Sequence, residues 1–406
     1  MTANLRRAAG SLLVVGLGGT ELTGLERAWL KLVRPAGIIL FKRNILDARQ
    51  TRTLLDEAAA LGSEHGLRCV DVEGGTVDRL RDALAPMPSA QAVARASSPM
   101  SQKRDVGHPA QAGSNPTHSQ KARMDGAPGH PNFKGRRTGL ATEHGVLVAQ
   151  AVKAFGFNTT LAPVLDLGLP ESAAVMGARA AAATAKGVVE YARAFLSGLA
   201  AEGVAGCGKH FPGLGGGTLD SHLETPAIRR GSGEIWREDL TPYRELRDEL
   251  PMVMVNHAAY PETPGKKRPA SVSAYWITTV LRGKIGYRGI VFSDDLEMGG
   301  ILKYMPMEEA VVSAVRAGMD LLEICHSPEL ILRAYEGLIA EGERSAAFRT
   351  TLLARAKRAE RQRARLFSGG TSRALTAKQF ESLRKRVLHF GETVAKVQAN
   401  AEVQTL

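Results

Sequence analysis

Short apolar, β-branched runs alternate along this chain with longer stretches whose apolar positions recur every three or four residues. The short runs predict eight strands, at 12–17, 37–41, 68–73, 158–167, 204–210, 252–257, 289–293 and 320–325. The longer stretches predict helices at 22–33, 47–61, 143–155, 184–201, 237–249, 273–282, 307–317 and 328–340. Continuously apolar strands that alternate with helices belong to a parallel sheet covered on both faces. Eight such units predict an α/β fold closed into a (β/α)8 barrel of the TIM type. An open doubly wound sheet is the alternative, and it usually carries a Gly-rich phosphate turn after an early strand. The turn Gly16-Leu17-Gly18-Gly19 lacks the G-x-G-x-x-G spacing, so dinucleotide binding has little support.

Two segments break the pattern. Residues 97–137 are rich in Ser, Pro, Gly, His and Gln and almost free of aliphatics. They carry too little apolar surface to offset the entropy of ordering, which predicts a disordered insertion before the fourth strand. Beyond residue 344 a basic helix is expected to about 367, then a Ser-Gly-Gly break and a second basic helical stretch over 376–397. A packing helix, a partner-binding arm and a partly disordered segment all fit this tail. The expected organisation is one catalytic domain over 11–340, interrupted at about 97–137, followed by a basic helical tail over 341–406.

The net charge of +12 resides in these two segments. Residues 97–137 hold 7 basic and 2 acidic side chains, and 344–406 hold 14 and 4, which leaves the body near −3. No aromatic interleaving accompanies the basic runs, so solvated segments are expected rather than a nucleic-acid surface.

A hydrophobic content of 44% is ample for a packed core, and no apolar run is long enough for a membrane span. Arg6 and Arg7 before Leu12-Leu13-Val14-Val15 look superficially like a secretion signal. The run is short and Gly18, Gly19 and Glu21 follow at once, so a buried strand is the better reading. Cys69, Cys207 and Cys325 are far apart, odd in number and set in apolar runs. They read as core residues of a protein in a reducing cytoplasm, not as a metal or disulfide framework. His108, His118 and His130 are too scattered for a metal site.

Chemistry in a (β/α)8 barrel sits at the C-terminal ends of the strands. Polar residues cluster there: Asp71 and Glu73, Lys209 and His210, Asn256 and His257, Asp294 and Asp295. An internal salt bridge would explain any one of them, but several converging on one rim point to a site. Asp220-Ser221-His222 lies in a loop that opens with Gly213, Gly215, Gly216 and Gly217. Glycines at such density predict a mobile loop. An Asp two residues before a His can hold one imidazole nitrogen and leave the other free for proton transfer. Taken alone, a surface Asp–His contact in a turn explains the pair as well. Asp294 ends the apolar run 289–293, where a carboxylate near Lys209 would stay ionised and nucleophilic. Asp295 is the competing candidate, and strand alternation allows only one of the two to point inward.

Lys209-His210-Phe211-Pro212-Gly213 with the downstream Asp-Ser-His, and Phe292-Ser293-Asp294-Asp295-Leu296-x-Met298, resemble family 3 glycoside hydrolases. Within that family the similarity is to single-domain bacterial β-N-acetylglucosaminidases of peptidoglycan recycling. Leu40-Phe41-x-Arg43-Asn44, Asp71-x-Glu73-Gly74-Gly75-x-Val77-x-Arg79 and 161–166 (Leu-Ala-Pro-Val-Leu-Asp) match as well. So does Pro269-Ala270-Ser271 with Trp276. The resemblance covers about 12–340, interrupted by the insertion. It implies Asp294 as the nucleophile that forms a glycosyl-enzyme, and His222 as general acid/base oriented by Asp220. It implies sugar-hydroxyl contacts from Asp71, Arg79, Lys209 and His210, and from Arg179 in Met176-Gly177-Ala178-Arg179. A His in place of the acid/base carboxylate departs from the usual glycosidase pair. Val72, Leu214 and Ala180 stand where the family usually has Gln, His and Ser.

The implied activity is retaining exo-hydrolysis of terminal β-linked GlcNAc from muropeptides or related glycans, with neither metal nor organic cofactor. A β-glucosidase or β-xylosidase of the same family is one alternative, but those commonly take their acid/base from a second domain. Phosphorolysis is another, since a His acid/base does not repel phosphate. A non-catalytic sugar-binding protein would not need Asp294, Asp220 and His222 together.

Overall fold

A computed structural model describes residues 2–97, 139–217, 226–266, 268–368 and 372–403. The predicted insertion, Ser97 apart, and Asp220, Ser221 and His222 lie outside the described residues.

All eight expected strands form, and they close into one parallel barrel. The barrel strands are β1 (Leu13–Gly16), β2 (Gly37–Leu40), β3 (Leu67–Val70), β6 (Thr159–Thr160), β7 (Ala205–Phe211), β8 (Met252–Val255), β9 (Ile290–Asp295) and β10 (Leu321–Ile324). Each pairs with the next along the chain, and β10 returns to β1 through Leu13↔Leu322 and its neighbours. A small antiparallel hairpin, β4 (Val72–Gly74) with β5 (Val77–Asp78), follows β3. Nearly all barrel-strand residues are buried, as expected for strands enclosed by helices on one side and barrel interior on the other.

Local differences from the sequence reading have local causes. The expected strand over 158–167 shortens to Thr159–Thr160, because Pro163 offers no N–H to the ladder. An isolated bridge, Val164 with Lys209, and single backbone bonds such as Cys207 N–H to the Ala162 carbonyl continue it. In place of the helix expected over 237–249 stand two short ones, Ser232–Arg237 and Thr241–Glu245, the second with Pro242 in its first turn, where a fixed φ is suited. Among the helices not expected are Thr2–Gly10 and Ala90–Ser97. The first buries Leu5, Ala8 and Ala9, so Arg6 and Arg7 belong to a packed helix that leads into β1.

The tail forms two helices, Ala346–Leu366 and Ala377–Val403. The first packs on Thr2–Gly10, Met307–Ala317 and Pro328–Arg344 through Phe348, Leu352 and Ala359. Arg358 bonds Asp320 at 3.1 Å, and buried Arg363 donates to the Ser11 carbonyl at 3.2 Å. The second buries Leu383, Val387, Phe390 and Val394, a helical stripe, against Ala90–Ser97 and Leu140–Ala154. Packing is therefore the role seen for this tail, and part of its positive charge is held by the barrel. No helix among the described residues is long and apolar enough to cross a membrane.

Candidate active site

A cavity of about 460 Å³ opens at the C-terminal rim of the barrel. Its wall includes Asp71, Arg79, Arg179, Lys209, His210 and Asp294, all of them expected site residues that fall among the described positions. Asp71 follows β3, Arg79 follows the β4–β5 hairpin, Lys209 and His210 belong to β7, and Asp294 belongs to β9. Arg179 comes from the short 3-10 turn Gly177–Arg179.

Glu73 is the hub that holds these groups in place. Lys209 Nζ lies 2.7 Å from Glu73 Oε1 and 2.9 Å from Asp71 Oδ1. Arg179 grips Glu73 with two parallel bonds, Nε to Oε2 at 2.8 Å and Nη2 to Oε1 at 2.9 Å. Burial raises the Glu73 carboxyl, but Lys209 and Arg179 outweigh that and hold it down to about 2. The same carboxylates keep buried Lys209 protonated against its own desolvation. Arg79 stands 3.7 Å from Asp71 Oδ2, an oxygen that stays available to a ligand hydroxyl.

A folded value near 2 against an ordinary 4.5 carries a sign. Glu73 contributes stability that is full above pH 4.5 and is lost as pH falls toward 2. Glu73→Gln leaves Arg179 without its carboxylate and Lys209 with Asp71 alone, and is expected to cost about 3–5 kcal/mol at neutral pH. Thermal melts of the two proteins should converge as the pH is lowered through that window. Parallel melting curves at every pH would show that the carboxylate is not the group responsible.

His210 is set by Asp166. Its Nδ1 lies 2.6 Å from Asp166 Oδ2, so Nδ1 carries the proton and Nε2 faces Arg179 Nη2 at 3.5 Å. The other Asp166 oxygen accepts from the Leu214 N–H at 2.6 Å and ties the following loop to the same carboxylate. Asn256 donates to the His210 carbonyl at 2.9 Å. Gly213 sits at φ +135, where a Cβ would meet the Asp239 side chain at 2.8 Å. A Cβ on Gly215 would meet the Leu167 carbonyl at 2.7 Å. Close packing, rather than freedom of motion alone, therefore requires these two glycines.

Asp294 has no ion-pair partner among the described residues. Its Oδ1 accepts the Asp295 N–H at 3.0 Å. Burial raises its pKa, but His210, His257, that N–H and Lys209 outweigh it and hold the group below the ordinary range. Asp295 is already engaged: its Oδ1 caps the Glu297 N–H at 3.0 Å and its carbonyl lies 2.9 Å from His257 Nε2. Both aspartates line the cavity, contrary to simple alternation. The β9–β10 register shifts between Phe292↔Leu321 and Asp295↔Glu323, and this irregularity lets adjacent residues share one face.

Of the departures from the family pattern, only Leu214 lines the cavity; Val72 and Ala180 are buried elsewhere. The sequence reading did not assign roles to Glu73, Asp166 or Glu323. Burial and the neighbouring carboxylates Asp295, Asp294 and Asp71 push Glu323 well above the ordinary range. A charged residue inside the apolar run 320–325 was the signal for it.

A rim cavity built from buried, mutually compensating carboxylates and cations places the chain among (β/α)8-barrel enzymes that receive a polar ligand. Residues 5–358 match the glycosyl hydrolase family 3 N terminal domain, and the chain belongs to that family of glycoside hydrolases, which act on carbohydrates. A curated β-hexosaminidase from Alkalilimnicola ehrlichii is 37% identical over 320 residues, 79% of this chain and 82% of that protein. One from Stenotrophomonas maltophilia is 33% identical over 330 residues, 80% and 87% of the two chains. The native NagZ structure from Neisseria gonorrhoeae superposes with a TM-score of 0.69 at 26% identity, covering 95% of this chain and 97% of that one. A family 3 β-N-acetylglucosaminidase from a Paenibacillus species gives 0.77 at 27%, covering 95% and 68%.

Proposed function

We propose that this protein is a cytoplasmic exo-β-N-acetylglucosaminidase that removes terminal β-linked GlcNAc from muropeptides or related glycans with net retention. The observation that carries this reading is Asp294: an ionised carboxylate without an ion-pair partner among the described residues, at the wall of the cavity. Names of the relatives support the sugar.

In this reading Asp294 attacks the anomeric carbon while His222, oriented by Asp220, gives its proton to the leaving oxygen. A water then transfers a proton to His222 and attacks the same carbon from the opposite side of the ring, which frees Asp294. Asp71 accepts from sugar hydroxyls, and Lys209, Arg179, His210 and Arg79 supply the opposing polar contacts. Because the cations are already paired with carboxylates, little reorganisation is needed when the sugar enters. The catalytic unit assigned to this chemistry spans 11–340, interrupted at about 97–137, with 341–406 as its basic helical tail.

The test is nitrophenol release from the β-GlcNAc and β-glucose glycosides, with the sugar product identified. Turnover of the GlcNAc substrate to free GlcNAc is expected, with little turnover of the glucoside. A preference for glucose would move the protein to the β-glucosidase reading, and a sugar phosphate formed in phosphate buffer would make it a phosphorylase.

A further inference from the structure

Beside Asp294 the cavity wall contains a donor set that hydrolysis does not use. Asp295, Cys325 and His326 each present a ligand atom, and these atoms lie within 4.8 Å of one another. They come from the end of β9 and the turn after β10, so no spacing along the chain announces them. A thiol, an imidazole and a carboxylate are the donors that Zn²⁺ selects, at about 2.0–2.3 Å, and three protein ligands leave a fourth position open.

Four further observations favour a built site. Phe41 stacks on the His326 ring with centroids 5.3 Å apart, which restricts the ring. Arg43 donates to the Cys325 carbonyl at 2.6 Å and fixes the backbone between the two ligands. Glu323 is 3% exposed, lines the same cavity, and has one oxygen 3.2 Å from Cys325 Sγ. Its other oxygen, Oε2, has no hydrogen-bond partner among the described residues. A buried, unsatisfied oxygen next to the thiol costs free energy that a cation would offset. Glu297 adds a carboxylate 2.9 Å from His326 Nδ1. Asp295, Glu297 and a Cys325 thiolate together place three negative charges beside Arg43.

We infer that Asp295, Cys325 and His326 form a zinc site in the wall of the sugar cavity, and that Zn²⁺ bound there inhibits the enzyme reversibly. On binding, the Cys325 S–H bond breaks, its proton leaves to solvent, and the sulfur electron pair forms the Zn–S bond; no electron is transferred. The open position of the ion faces the cavity, where it narrows the space for the sugar. Its charge, one residue from Asp294, draws that carboxylate away from the anomeric carbon.

The experiment uses the full chain after chelator treatment. Co²⁺ is added as a spectroscopic stand-in, and Zn²⁺ inhibition is read relative to each variant's own metal-free rate. Wild-type protein is expected to show a near-ultraviolet thiolate-to-cobalt charge-transfer band. It should also be inhibited by Zn²⁺, with recovery on adding EDTA. Cys325→Ser should lose the band, and Cys325→Ser and His326→Asn should each need at least about tenfold more Zn²⁺ for half inhibition. His326 is 56% exposed on its side chain, so its variant is expected to fold even if the cysteine variant does not. Absence of the band in wild-type protein overturns the site. So does equal zinc sensitivity in all three proteins, which would put the ion on other carboxylates of the cavity. The cobalt band does not depend on turnover, so failure of this site and failure of the hydrolase reading give different results.

Discussion

Asp294→Ala is expected to lower kcat/KM for the nitrophenyl β-GlcNAc substrate by roughly 10⁴-fold or more, while the melting temperature at neutral pH falls only slightly. The activity loss follows from the proposed covalent route: without the carboxylate no glycosyl-enzyme can form, and water would have to attack directly. The stability expectation follows from the geometry. Asp294 makes no ion pair among the described residues, but attraction from His210, His257 and Lys209 outweighs the desolvation that burial imposes. Removing it relieves that desolvation but loses those attractions and the contact with the Asp295 N–H, a small net cost at neutral pH. Asp295→Asn makes the matching control. Its side chain caps the Glu297 N–H, a contact that Asn preserves, so a much smaller loss is expected. Wild-type rates from the Asp294 variant, with the large loss in the Asp295 variant, would exchange the two assignments.

His222→Ala is expected to cost about 10²–10⁴-fold on a substrate with a poor leaving group, the range that general acid–base catalysis supplies. The β1,4-linked GlcNAc disaccharide is such a substrate, because its departing sugar oxygen must be protonated. Nitrophenolate leaves without that help, so formation of the glycosyl-enzyme from the nitrophenyl substrate should be much less affected. Its hydrolysis still needs a base to take the water proton. A burst of nitrophenol followed by slow turnover is therefore expected in the variant, where the wild type shows a steady rate. Equal losses on both substrates, with no burst, would show that His222 positions the sugar and does not transfer the proton. The Asp220→Ala variant should show the same pattern more weakly, since the imidazole would remain but without its orienting partner.

Much of this protein was decided by local sequence. The alternation of apolar strands with amphipathic helices is enough to specify a covered parallel sheet, and eight repeats are enough to close it. Reactive residues at strand ends follow directly, because a strand that stops being apolar has reached the rim. That is why Asp71, Lys209, His210 and Asp294 could be placed in one pocket from their positions alone. Helices built by long-range contact were less legible. The Thr2–Gly10 helix exists because Leu5, Ala8 and Ala9 find buried surface; the helix Ala346–Leu366 was expected, but not that Asp320 and the Ser11 carbonyl accept from its Arg358 and Arg363.

Charge compensation and donor geometry belong to the tertiary structure. Glu73 reads as one more polar residue near a strand end until Lys209 and Arg179, 136 and 106 positions away, close on it. Asp295 with Cys325 and His326 is similarly invisible along the chain. A hydrogen bond, an ion pair or a coordination sphere depends on distances of a few ångströms, and only closure of the barrel brings such residues that near. Periodicity is a property of neighbours along the chain, so the sequence alone was sufficient for the barrel and its rim. The ionisation of Glu73, the lack of an ion-pair partner for Asp294 among the described residues and the Asp295–Cys325–His326 corner are properties of neighbours in space.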